Sequence, residues 1–301
     1  MLKKSIAITL IVIFLLCLPL KPKDVNTNAI ADSSAVIANN AEIITKLNAF
    51  MYDLEKMKYF HGSVLVSEDG RILLNQSYGM ADYEKLIKNT PKTRFAIGSV
   101  TKQFTAMGIL LLQERGLLNI NDKLSEYIKD FPRGNEITLY NLLAHSSGLV
   151  NYTDLPGVVY DYQNYSKEED LIDMLKKEDL KFEPGTKFEY CNSGYMILGY
   201  IIRKVSELSY GDFMKKYVFE PLKMKDTGVC YIGSKKQYDS NGYKGTDDLT
   251  YVDDVPLLRV AYGAGCLYST TGDLYLWNKA VTGGEFVDEK TLDVIKKDRS
   301  Q

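Results

Sequence analysis

Nine consecutive residues, Phe104-Thr105-Ala106-Met107-Gly108-Ile109-Leu110-Leu111-Leu112, carry no charge and lead into Glu114-Arg115-Gly116. A helix that is apolar on nearly every side has to be covered all round. The glycine that follows offers the left-handed position at which such a helix closes. A chain built on this helix therefore needs further layers. Its 301 residues, 45% hydrophobic and 25% charged, suffice for one large domain or two small ones.

Candidates for those layers lie on both sides. Over 42–58, Ile43, Ile44, Leu47, Phe50, Met51, Leu54 and Met57 fall on one stripe of an amphipathic helix. Two strand-like runs follow, 62–66 and 71–77, around Glu68-Asp69-Gly70, a strong hairpin signal. Helices are expected over 139–144, 168–177 and 195–205. The stretch 234–255, polar and rich in Gly, Asp and Tyr, reads as a long surface loop. Strand, helical middle and an expected return to strand give the fold class α/β (α+β). The sheet is antiparallel and flanked by helices, with an inserted helical lobe.

The N-terminus reads as a secretory signal peptide. Lys3 and Lys4 precede an apolar run at 6–18, and Ala29-Ile30-Ala31 fits a cleavage site. The run is shorter than the roughly 20 residues that span a bilayer, although an uncleaved anchor is the alternative. Leu16 is bulky for a lipid attachment site at Cys17. The expected division is leader 1–31, linker 32–41 and one domain 42–301, in an exported, secreted or cell-surface monomer. A net charge of −2 argues against nucleic acid. Three cysteines beyond the leader, Cys191, Cys230 and Cys266, cannot complete a disulfide framework. With only His61 and His145 as histidines, no metal site is expected, and no cofactor.

Ser99-Val100-Thr101-Lys102 opens the apolar helix. Positions i and i+3 share a helix face about 4.5 Å apart along the axis, so the lysine reaches the hydroxyl. Desolvation can turn such a lysine into a base for a serine nucleophile. The bland alternative is that Ser99 merely caps the helix. Tyr190-Cys191-Asn192 sits at a second boundary, between the turn Glu183-Pro184-Gly185 and an apolar helix. A phenol about 4 Å from a lysine cation gains on the order of 4 kcal/mol for its ionised form at an effective dielectric of 20, so Tyr190 is expected to be acidified. Asn192 offers both an amide donor and an acceptor. Tyr162-Gln163-Asn164 repeats the pattern in a polar stretch with no buried helix after it, and is expected to be a decoy.

These motifs together resemble the class C β-lactamase and DD-peptidase family of serine hydrolases. Further segments carry the resemblance in order: Leu142-Leu143-Ala144-His145-Ser146-Ser147-Gly148-Leu149, Pro184-Gly185-Thr186-Lys187-Phe188-Glu189-Tyr190-Cys191-Asn192, Glu220-Pro221-Leu222-Lys223-Met224 and Gly265-Cys266-Leu267-Tyr268-Ser269-Thr270. The resemblance implies acylation of Ser99, a proton shuttle through Lys102 and Tyr190, and binding of a substrate amide by Asn192. The Ser99 N–H would form half of an oxyanion hole. The substrate would be a small molecule or derived from peptidoglycan. His145 would sit in a structural turn rather than in a Ser-His-Asp triad. One family motif is missing, since no glycine has Lys or His two positions before it. The expectation is a chain that stops short of that strand, lacks the second oxyanion donor and is weakly active.

Overall fold

The computed structural model describes residues 29–165, 167–233, 235–245, 249–287 and 291, with side chains from Ala41 onward. Most of the expected leader, and everything expected of the C-terminal end after 291, lies outside the described residues. The order along the chain begins α1 (Ala29–Lys56), β1 (Gly62–Glu68), β2 (Arg71–Tyr78), β3 (Met80–Asp82), β4 (Ile87–Lys88) and β5 (Phe95–Ala96). The helical middle holds α2 (Thr101–Glu114), α3 (Leu124–Tyr127), α4 (Leu139–Leu143), α5 (Glu168–Leu175), α6 (Asn192–Ser206) and α7 (Tyr210–Met214). Then come β6 (Gly228–Val229), β7 (Tyr231–Ile232), β8 (Lys235–Lys236), β9 (Gly242–Lys244) and β10 (Thr250–Val252). The order closes with α8 (Val255–Ala261), β11 (Leu267–Ser269) and α9 (Thr271–Gly283). The chain forms two compact units, one reaching to Pro91 and taking in Asn241–Val252, the other holding the rest.

In the first unit, α1 begins at the end of the expected leader and runs through the stretch expected as linker, where five alanines between 29 and 41 favour helix. Its apolar stripe is only partly covered: Met51 is buried, whereas Phe50 and Met57 stand exposed. The hairpin forms as the sequence indicates. Asp69 and Gly70 have φ of 49° and 75°, the two positive values that a type I′ turn requires. β1 and β2 pair antiparallel from Gly62↔Tyr78 to Glu68↔Arg71.

The expected long loop at 234–255 is corrected by the structure, which places β8, β9 and β10 within it. Tyr243 pairs with Tyr251 across β9 and β10, and its hydroxyl accepts from Tyr83 N at 2.8 Å while donating to Glu84. Cross-strand aromatic packing outweighs the polar composition of the segment.

The second unit is built round α2, in which ten of fourteen residues are buried. Phe104 stacks on Trp277 at 4.0 Å between ring centroids. The helix ends as a Schellman motif: Leu117 N donates to Leu112 O and Gly116 N to Gln113 O, with Gly116 at φ 67°. α6 lies along α2, and the turn Tyr262–Ala264 packs backbone to backbone on α6. A Cβ at Gly263 would fall 2.6 Å from Tyr195 O, so only glycine permits this approach. β11 lies between β5 and β6 in a three-stranded antiparallel sheet. β5 delivers the chain to Gly98, whose φ of 48° is left-handed, and so to Ser99. Among the described residues, Cys191, Cys230 and Cys266 are unbridged. Cys230 packs with Tyr238 and Leu258, while Cys266 packs against the main core.

Candidate active site

Every predicted site residue falls in the second unit. Ser99 lies in a short 3-10 turn, Gly98–Val100, that leads into α2. The capping alternative fails, because the residue before α2 is Val100 and no side chain caps the helix. The hydroxyl of Ser99 instead meets two other groups. Lys102 Nζ is 3.1 Å from Oγ and the Tyr190 hydroxyl is 2.8 Å from it. Ser99 itself is exposed, and its N–H has no acceptor among the described residues.

Lys102 occupies the first turn of α2 and is only 6% exposed. Its Nζ also lies 2.8 Å from Asn192 Oδ1 and 2.8 Å from the carbonyl of Ala264. One turn along the same face, Thr105 Oγ1 donates to the neighbouring carbonyl of Gly263 at 2.6 Å and pairs with the Tyr210 hydroxyl. α2 thus grips the turn through two successive carbonyls. Neutral oxygens satisfy the ammonium and no carboxylate among the described residues balances it, so burial pulls its pKa down to about 8.

Tyr190 is built differently. It lies outside any helix or strand, on the extended approach to α6, and is 45% exposed. His145 holds the chain on both sides of it: His145 O accepts from Glu189 N at 2.8 Å, and Nδ1 accepts from Cys191 N at 3.1 Å. The imidazole also lies against the Tyr190 ring at 4.6 Å. Burial, reinforced by the Lys102 charge, drives the His145 pKa down to about 4, so the ring stays neutral and remains an acceptor. His145 sits in a turn, at φ 54°, and among the described residues no hydrogen bond joins its ring to Ser99 or to a carboxylate, which fits the structural role expected of it. Lys181 and Lys187 both grip the carboxylate of Glu189.

The expected acidification of Tyr190 is overturned. Burial raises its phenol pKa above the ordinary value, and the hydrogen bond to Ser99 only partly offsets that. Lys102 does lie 4.9 Å from the ring centroid. With a pKa near 8 it is still mostly protonated at neutral pH, yet burial of the phenol prevails and the Tyr190 pKa is raised. Burial acts on both partners, disfavouring the cation and the phenolate alike.

Asn192 opens α6. Its Oδ1 accepts from Lys102 and its NH₂ donates to Thr153 Oγ1 at 3.0 Å. Tyr162, of the repeated motif, lies in a separate 3-10 turn and packs against the core. Sequence reasoning missed Asn151 and Thr153, which hold the backbone and side chain of Asn192, and it missed the Ala264 carbonyl. A backbone acceptor leaves no residue-type signal. Asn151 and Thr153 lie two and four residues after Leu149 of the Ser147-Gly148-Leu149 segment, and that proximity is the one trace they leave.

The family model described as Beta-lactamase matches residues 54–299. A penicillin-binding protein of Bacillus subtilis is 32% identical over 261 residues, covering 82% of this chain and 58% of that protein. The protein flp of Staphylococcus aureus strain MW2 is 33% identical over 76% of this chain and 46% of its own length. The chain therefore spans about half to three fifths of the length of these relatives. Among solved structures, FmtA from Staphylococcus aureus superposes with a TM-score of 0.71 at 28% identity, covering 85% of this chain and 69% of that one. The D-amino acid amidase of Ochrobactrum anthropi SV3, complexed with L-phenylalanine, gives 0.67 at 26% identity over 77% and 69%.

Proposed function

Because the chain belongs to the beta-lactamase family, we propose that it is a serine hydrolase working through an acyl-enzyme on a D-alanyl peptide, a β-lactam or an ester. The observation that carries this reading is the convergence of Lys102 Nζ and the Tyr190 hydroxyl on one oxygen, Ser99 Oγ. With its pKa near 8, Lys102 is neutral in a useful fraction of molecules at neutral pH. The neutral amine keeps two N–H bonds, for Asn192 Oδ1 and Ala264 O, and turns its lone pair to Ser99. Oγ then loses its proton to Nζ as it bonds to the substrate carbonyl carbon. In this reading the free N–H of Ser99 serves as one donor to the oxyanion. As the bond to the leaving group breaks, Tyr190 donates its hydroxyl proton to that group and recovers one from Lys102. Water later repeats the sequence to release the acid. The D-amino acid amidase likeness supports an amide-type acyl donor.

Incubation with a labelled penicillin, followed by peptide mapping, tests the reading. The label is expected on Ser99 and absent from Ser99→Ala; well-folded protein that takes no label would defeat it. A second reading is a penicillin-recognising protein that is acylated without turnover. An acyl-enzyme that persists for hours would select it. We also propose export with cleavage near Ala31, which N-terminal sequencing of the mature protein decides.

A further inference from the structure

Tyr262 follows α8 with φ 40° and ψ −137°, a conformation that glycine takes freely and a residue with a Cβ takes only under strain. Glycine stands next to it, at 263, yet does not fill the strained position. Strain of this kind persists only where the surroundings hold it. Here the Tyr262 hydroxyl donates to Tyr165 O at 2.9 Å, and Tyr262 O accepts from Gly265 N at 3.1 Å and Cys266 N at 3.0 Å. The ring lines a cleft with Lys167, Glu168, Glu169 and Arg203. Burial, with the carboxylates of Glu168, Asp170 and Glu169, raises the phenol pKa well above its ordinary value, so the hydroxyl keeps its proton and remains a donor. Tyr165 closes the 3-10 turn Tyr162–Asn164, so the motif expected to be a decoy leads into the anchor.

The turn held in this way carries the Ala264 carbonyl, which accepts from Lys102 Nζ at 2.8 Å. We propose that Tyr262 is a positioning residue for Lys102: its hydroxyl, anchored on Tyr165 O, holds the turn so that the Ala264 carbonyl stays on Nζ. The inference rests on the serine hydrolase reading. The carbonyl serves the base in both of its states. It stabilises the ammonium through a charge-assisted hydrogen bond, and it fixes one N–H of the neutral amine while the lone pair faces Ser99. Without the tether the turn relaxes towards an unstrained conformation and Ala264 O moves off Nζ.

Tyr262→Phe removes the tether and keeps the ring, so Lys102 stays buried. The rate constant for acylation of Ser99 by benzylpenicillin, followed by intact mass, is measured from pH 5.5 to 10 in wild type and variant, with the melting temperature of each. Tyr190, Tyr195, His145 and Cys191 also face Lys102, and the variant leaves all four in place. A weakened acceptor disfavours the ammonium, so the midpoint of the rate profile is expected to fall by about half to one pH unit. The plateau should fall about tenfold as the amine loses its fixed orientation. Tyr262→Gly, which suits the backbone but lacks the tether, should keep the lowered plateau. A lower melting temperature with a midpoint that is unmoved or raised in Tyr262→Phe would make Tyr262 a structural residue only and overturn the inference. A wild-type plateau in Tyr262→Gly would overturn it too. If benzylpenicillin does not acylate wild-type Ser99, the hydrolase reading fails and takes the inference with it. Acylation with an unmoved midpoint in Tyr262→Phe defeats this inference alone.

Discussion

The two flanks of Ser99 are made from different materials. On the Lys102 flank, two long helices and a glycine-tight turn enclose the ammonium, and each of its three protons has a fixed oxygen. On the Tyr190 flank, an irregular stretch is held by one imidazole and a surface ion-pair cluster, and the phenol is nearly half exposed. Burial moves both pKa values, but in opposite directions relative to neutrality. It brings the lysine down towards pH 7 and takes the tyrosine further from it. The rigid, buried flank thus supplies the base, and the looser flank supplies a neutral hydroxyl that orients and relays.

The largest expected effect lies on the buried flank. Lys102→Met should slow acylation of Ser99 by about 10²–10⁴, the range of general-base contributions. Tyr190→Phe, which keeps the ring against His145, should cost about 10²-fold at most and change the melting temperature little. Equal losses from the two variants would erase the distinction between the flanks. Gly263→Ala sharpens it from the packing side. Its Cβ would strike the carbonyl of Tyr195, so a loss of about 1–3 kcal/mol is expected in chemical denaturation, with slower acylation as the Ala264 carbonyl moves off Lys102.

A smaller, pH-dependent effect belongs to the Tyr190 flank. The folded pKa of His145 lies near 4, below its unfolded value near 6.5, so the unfolded chain binds its proton first. Its contribution is present above pH 6.5 and is lost as pH falls towards 4. The loss is about 2 kcal/mol once the partly exposed ring is allowed for. Denaturation of wild type and His145→Asn at pH 7 and pH 4.5 should show the difference shrinking in acid. A constant difference would remove His145 from the titrating groups.

Local chemistry was legible in the sequence wherever one residue type has few alternatives. Asp69-Gly70 admits the hairpin turn, Gly116 closes the helix, and Ser99 with Lys102 needs only helical spacing. Features that depend on long-range assembly were not legible. Whether 234–255 forms strands depends on Tyr243 finding Tyr83 and Tyr251. The sign of the Tyr190 shift depends on how much water reaches the phenol, which Coulomb's law between two residue types does not contain. The Ala264 carbonyl, a backbone atom 162 residues from Lys102, is set by the glycines that let the turn approach α6.

The pH dependence of Ser99 acylation by benzylpenicillin, measured from pH 5.5 to 10 in wild type and Tyr190→Phe, tests directly whether the buried lysine is the base. The rate should rise with pH to a plateau, with a midpoint near 8 set by loss of the Lys102 proton. The midpoint should be the same in both proteins, although Tyr190→Phe reaches a lower plateau. A midpoint that disappears or moves by more than about one pH unit when the phenol is removed would make Tyr190 the titrating base, and would contradict the account.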